Sequence, residues 1–142
     1  MGKKVLIVED EIFVALEIEQ IVEDAGLTVR AIAADREAAL AVAGECDIAL
    51  VDLNLRDGPT GTAIGKELAS RYGIRVIYVT ANPAQIGEAK AAALGVVTKP
   101  FRAPCITAAL RFATGEAPVD AVAGFTPFAE AHGSLSEMGS RG

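Results

Sequence analysis

Five residues able to do chemistry stand where apolar runs stop. Glu9 and Asp10 follow Val5-Leu6-Ile7-Val8, and Asp52 follows Ile48-Ala49-Leu50-Val51; Thr80 closes the run 74–79, and Lys99 follows Val96-Val97-Thr98. Short unbroken runs of β-branched and aliphatic residues read as strands covered on both faces, as in a parallel sheet. All carboxyl ends of a parallel sheet share one edge, where ligands bind. Three carboxylates, a hydroxyl and an ammonium, far apart in sequence, are therefore expected to converge. Clustered carboxylates repel one another unless a cation sits among them. Hard oxygen ligands with few protein contacts suit Mg²⁺, which keeps several waters and readily shares a phosphate. A carboxylate beside Mg²⁺, with Lys and Thr nearby, is a site for taking a phosphoryl group on an aspartate. Each feature alone has a plainer explanation: the acidic pair as a helix start favoured by the dipole, the lone Asp as a turn residue, Lys-Pro as a turn. Their joint placement at successive strand ends is much harder to obtain by accident.

The elements that must position these residues alternate in period. Strands are expected at 5–8, 27–33, 48–51, 74–79 and 96–98. Between them, helical spacing begins at Ile12 and gives way near Gly26, and Asp35 is a plausible N-cap for a helix through about residue 43. Further helices are expected at 63–72, at 83–94 behind an Asn82 cap with Pro83 at the first helical position, and at 103–113. Strands alternating with helices give an α/β fold with a parallel sheet and helices on both faces. From Gly115 onward Gly, Ala, Ser and Pro dominate, with Phe125, Phe128 and Leu135 scattered among them. The expected organisation is one domain over 1–114 and a flexible or loosely docked tail over 115–142.

Composition narrows the function. With 13 Lys plus Arg against 19 Asp plus Glu, the 142-residue chain carries a formal charge of −6, which argues against direct duplex binding. No apolar run reaches the roughly 18 residues of a membrane span, and the N-terminal run stops at once in Glu9-Asp10-Glu11, so neither membrane insertion nor a signal peptide is expected. Cys46 and Cys105, set among apolar neighbours, read as reduced packing residues of a cytoplasmic protein. His132, the single histidine, makes neither a metal site nor a credible phosphodonor.

Over about residues 3–113 the sequence resembles the receiver domain of two-component response regulators. The motifs are Val8-Glu9-Asp10-Glu11, Val51-Asp52-Leu53-Asn54, Val79-Thr80-Ala81 and Lys99-Pro100-Phe101. The resemblance implies a flavodoxin-like, doubly wound (βα)5 fold with a five-stranded parallel sheet of order 2-1-3-4-5, an order illustrated by members of this same family. It implies that Asp52 takes a phosphoryl group from a phosphohistidine on a histidine kinase or histidine phosphotransfer protein. Glu9, Asp10, Asp52 and the backbone carbonyl of Asn54 would hold Mg²⁺. Lys99 would pair with Asp52 and then with the phosphoryl oxygens, Thr80 would bond the phosphoryl group, and Lys99-Pro100 would be cis. Such a chain switches contacts with a downstream protein and is no enzyme beyond its own phosphorylation and dephosphorylation. With no DNA-binding module in view, a stand-alone receiver is expected.

Two departures stand out. The family usually has Tyr or Phe three residues before the lysine, where this sequence has Val96. The loop after Asp52 reads Leu55-Arg56-Asp57-Gly58-Pro59-Thr60-Gly61, seemingly one residue longer than usual, and is similar to receivers of general-stress and sensory pathways in some bacteria. Two other functions fit parts of the pattern: a pseudo-receiver that binds a partner without phosphorylation, and an aspartate-nucleophile phosphohydrolase. The second needs a general acid two residues after the nucleophile, where Asn54 cannot shuttle a proton.

Overall fold

The computed structural model of the chain describes residues 3–116 and 124–128. Strands β1 (Lys4–Val8), β2 (Thr28–Ala33), β3 (Ile48–Asp52), β4 (Arg75–Thr80) and β5 (Gly95–Thr98) run parallel in the order β2-β1-β3-β4-β5, as expected. Helices α1 (Ile12–Asp24), α2 (Arg36–Val42), α3 (Gly61–Tyr72) and α4 (Ala103–Ala113) cover the sheet.

Side-chain alternation divides the core into two layers. Leu6, Val8, Ala49, Val51, Val76 and Tyr78 pack on one face with Ala39 of α2 and with Ile64 and Leu68 of α3. Val5, Ile7, Ile48, Leu50, Ile77 and Val79 pack on the other with Ala15, Ile18 and Val22 of α1 and with Ile106 and Leu110 of α4. Each large aliphatic side chain so buried contributes about 1.5–3 kcal/mol. The central strands are therefore rigid stems, and what stands at their ends is held firmly.

One expectation needs correction, and one element is added. The helix expected over 83–94 is two short 3₁₀ segments, Pro83–Gln85 and Gly87–Ala92. Gly87 takes a left-handed conformation (φ 56°), which an α-helix cannot carry through, and the Asn82 side chain caps nothing. Only Ile86, Ala89 and Ala93 are buried in this stretch, two of them alanines, so little apolar surface rewards a regular helix. The sheet also gains a sixth strand, β6 (Phe125–Pro127), antiparallel on the outer edge of β5. It lies inside the stretch expected as a flexible or loosely docked tail. Phe125 and Phe128 are both buried, one on each face of the sheet, and that burial offsets the entropy of ordering the segment. His132 and Leu135 lie outside the described residues.

Candidate functional site

Sheet register brings the polar residues level. Val8 pairs with Val51, so Glu9 comes beside Asp52, while Asp52 pairs with Val79 and Thr80 with Thr98. The Glu9 N–H donates to the Ala33 carbonyl at 2.9 Å, carrying the β1–β2 ladder past the last strand residue. Glu9 and Asp52 are buried, Asp10 is exposed, and one carboxylate oxygen of each lies within 4.8 Å of the others.

Lys99 reaches into this cluster from the end of β5. Its Nζ donates to Glu9 Oε1 at 3.0 Å and lies 3.5 Å from Asp52 Oδ2. The family resemblance pairs this lysine with Asp52; here Glu9 is the nearer partner. Glu9 keeps 1% of its side-chain exposure against 9% for Asp52, so it has lost more hydration and gains more from a cation. Burial pushes the Glu9 carboxyl above its ordinary range. The Glu11 N–H, donating to Glu9 Oε2 at 3.1 Å, and the Lys99 bond pull it down without cancelling that effect, and the Asp52 charge adds to the rise. Burial also works against the Lys99 charge, but its bond to Glu9 and the charges of Glu9 and Asp52 outweigh it and hold Lys99 above its ordinary value.

Thr80 is buried beside the cluster. Its Oγ1 accepts from the Asn82 N–H at 3.0 Å, and its carbonyl accepts from the Lys99 N–H at 2.9 Å. The Lys99-Pro100 peptide is cis. Val96 is buried and lines an apolar cavity of about 520 Å³ together with Phe128, Ile86 and Lys90.

Three features around the site carry weaker sequence signals or none. Gly61 opens α3 against the end of β3, with its N–H donating to the Leu53 carbonyl at 3.0 Å; a Cβ there would run into the Asp52 carbonyl and the Leu53 Cα. A glycine at the start of a helix next to a candidate nucleophile hints at such close approach. Gln85 exchanges two amide hydrogen bonds with Asn54, at 3.3 and 3.1 Å, clipping the loop after β3 to the turn after β4. No local pattern foretells that pair, because its members come from different strands. The long loop itself is tied back: Leu55 and Gly58 bond each other, Thr60 Oγ1 donates to Asp57 at 2.6 Å, and Arg56 pairs with the α2 cap Asp35 at 3.0 Å.

Three carboxylates against one ammonium leave the cluster net negative. Hard oxygen donors from two buried groups and one exposed group suit a small divalent cation that retains water. The same charge balance accommodates an incoming phosphoryl group only when cations offset it.

The family described as "Response regulator receiver domain" matches residues 5–111. The chain belongs to the response regulator receiver family. Among curated proteins, this receiver is 31% identical over 115 residues to the Phyllosphere-induced regulator PhyR of Methylorubrum extorquens, which covers 78% of this chain and 43% of that relative. The chain thus spans less than half the length of that relative. Among solved structures it resembles the PhyR response regulator REC domain of Erythrobacter litoralis, with TM-score 0.74 and 26% identity over 85% of this chain and 97% of the other. The anti-anti-sigma factor PhyR of Bartonella quintana follows with TM-score 0.70 and 29% identity, over 81% of this chain and 48% of the other. Among the described residues, no helix of the receiver is long and apolar enough to cross a membrane.

Proposed function

We propose that this receiver accepts a phosphoryl group on Asp52 from a phosphohistidine of a histidine kinase or phosphotransfer protein, and that the loaded form switches a contact with a downstream protein. The supporting observation is the buried Asp52 carboxylate, grouped with those of Glu9 and Asp10 and faced by the Lys99 ammonium. An Asp52 carboxylate oxygen attacks phosphorus, the phosphorus–nitrogen bond breaks, and its electron pair returns to the donor imidazole, which is left neutral once protons equilibrate with water. Lys99 stays beside the acceptor throughout and exchanges carboxylate partners for phosphoryl oxygens. Thr80 turns its hydroxyl from the Asn82 N–H toward the new group. Glu9, Asp10, Asp52 and the Asn54 carbonyl would hold Mg²⁺, which supplies positive charge to the transferring oxygens.

The donor surface proposed is the start of α1. Ile12, Phe13 and Leu16 are 54%, 84% and 45% exposed, an apolar face on a helix that opens next to Asp10. A groove of about 490 Å³ lined by Val14, Glu17, Lys99 and Phe101 lies beside it. A helix of the donor with complementary apolar residues would set its phosphohistidine over Asp52. The part shared with the PhyR relatives is the receiver, and it is the match to the receiver family over residues 5–111 that supports a phosphoacceptor reading. Output through a protein rather than DNA agrees with the net charge of −6. A cytoplasmic setting, where the donor kinases present their phosphohistidines, follows from this reading.

The test is labelling from acetyl phosphate or a cognate kinase with Mg²⁺, followed by intact mass. Wild type is expected to gain one phosphoryl group, and Asp52→Asn none while keeping its fold. No gain in wild type would favour a binding module that works without phosphorylation; full gain in Asp52→Ala would move the site elsewhere.

A further inference from the structure

β6 lies beyond residue 111, where the family match ends. It covers the open edge of β5 with a register of Gly95 to Pro127, Val96 to Thr126 and Val97 to Phe125. The Thr98 N–H donates to the Gly124 carbonyl at 2.8 Å, and the Phe128 N–H donates to the Leu94 carbonyl at 2.9 Å. In an antiparallel ladder bonded at these two points, Pro127 falls at a non-bonded position, so its missing N–H costs nothing inward and blunts the outer edge. The fit is close. A Cβ on Gly95 would come within 2.7 Å of the Thr126 carbonyl oxygen and 2.8 Å of the Phe125 ring. The Phe125 ring packs edge-on to Phe112 at 5.8 Å, and Phe128 lies under Lys90 at 5.6 Å.

Phe128 also supplies an aromatic ring to the face on which Val96 lacks one, since both belong to the same buried cluster and line the same cavity. The strand is wired to the site through few atoms. Lys99 holds Glu9 with its side chain and Thr80 with its backbone N–H, and the next residue back, Thr98, makes the first hydrogen bond to β6. A strand paired over only three residues, and lying at the outer edge of the sheet, is a small element that opens at low cost compared with the sheet centre.

We propose that residues 124–128 form a releasable strand, an internal occupant of the β5 edge, and that phosphorylation of Asp52 loosens it and uncovers that face. This rests on the phosphoacceptor reading above. When Lys99 turns from Glu9 to phosphoryl oxygens and Thr80 follows, their shared backbone bond moves Thr98 and weakens its hold on Gly124. By linkage, anything that fastens the strand must oppose loading of Asp52 by the same factor.

The full chain is to be measured with Mg²⁺, with and without beryllofluoride as a stand-in for the phosphoryl group. Amide exchange at Thr98 and Phe128 is expected to speed up at least about fivefold, while Leu94, whose N–H bonds Val76 on the β4 side, stays unchanged. Gly124→Cys provides a lock: a Cβ there would lie 3.7 Å from Cys105 Cβ, within disulfide range. The oxidised variant is expected to bind beryllofluoride at least about fivefold more weakly than the same variant reduced, which carries the same strain at φ 98°. Where the disulfide does not form, Phe128→Ala serves instead. Its Thr98 amide is expected to exchange fast without beryllofluoride, and its beryllofluoride affinity to rise by a similar factor. Asp52 loading with unchanged exchange at Thr98 and Phe128, or equal affinity in the locked and unlocked forms, would make β6 a permanent edge seal and overturn this proposal alone. Failure of wild type to bind beryllofluoride or take phosphate would overturn the phosphoacceptor reading and this proposal together.

Discussion

Replacing Lys99 by methionine keeps most of the side-chain stem and deletes its charge. The ammonium lies 3.0 Å from Glu9 and 3.5 Å from Asp52, whose nearest oxygens, with that of Asp10, fall within 4.8 Å of one another. Two unit negative charges at that limit, at an effective dielectric near 20, repel by about 3.5 kcal/mol. Removing one partner of a buried ion pair typically costs about 3–5 kcal/mol. Lys99 keeps 19% of its side-chain exposure, so water softens the effect. A loss of about 3 kcal/mol at neutral pH is expected, or roughly 12 °C in Tm for a domain of this size. Two treatments should relieve it. Protonating Glu9, whose pKa is already raised, removes one of the repelling charges as pH falls. Mg²⁺ at a hundredfold excess over its Kd returns about 2.7 kcal/mol by mass action. The variant is therefore expected to bind Mg²⁺ more tightly than wild type while taking up phosphate more slowly. Urea melts at pH 5 and 7.5, with and without Mg²⁺, alongside calorimetric titration of the ion, check the loss, its two remedies and the tighter Mg²⁺ binding, and labelling from acetyl phosphate checks the slower uptake. A loss insensitive to both pH and Mg²⁺ would mean that Lys99 acts by packing, and weaker Mg²⁺ binding would refute the electrostatic account.

Other outcomes follow from the same geometry. In wild type without Mg²⁺, the folded chain holds the Glu9 proton more tightly than the unfolded chain, whose ordinary value is 4.5. That contribution to stability is fully present below the ordinary value and is lost as pH rises through the folded one; Glu9→Gln should flatten this slope in chemical melts, and a slope equal to wild type would place the titration elsewhere. Asp10→Asn should weaken Mg²⁺ binding at least about tenfold, yet shift metal-free stability by no more than about 0.5 kcal/mol because Asp10 is exposed. Gly61→Ala should cost about 1–3 kcal/mol and slow phosphate uptake, because the added methyl displaces the backbone that carries Asp52. Wild-type stability with normal uptake would show that α3 yields instead.

The sequence by itself determined the stems and their tips. Val5 to Val8 and Ile48 to Val51 read as doubly covered strands, parallel strands end on one edge, and so Glu9, Asp10, Asp52, Thr80 and Lys99 were expected to meet, as they do. Local pattern carries this information because side-chain periodicity is a property of each segment alone. Partner choice within the cluster is different. Whether Lys99 lies nearer Glu9 or Asp52 depends on which carboxylate is more completely dehydrated, and only the packed structure sets that. The stretch after Pro83 carried helix signals but too little apolar surface to reward one, and Gly87 broke it. Phe125 and Phe128 had no periodicity to announce a strand. They became one because the β5 edge offered unpaired backbone and an apolar pocket on each side, a surface that exists only once the other five strands have assembled.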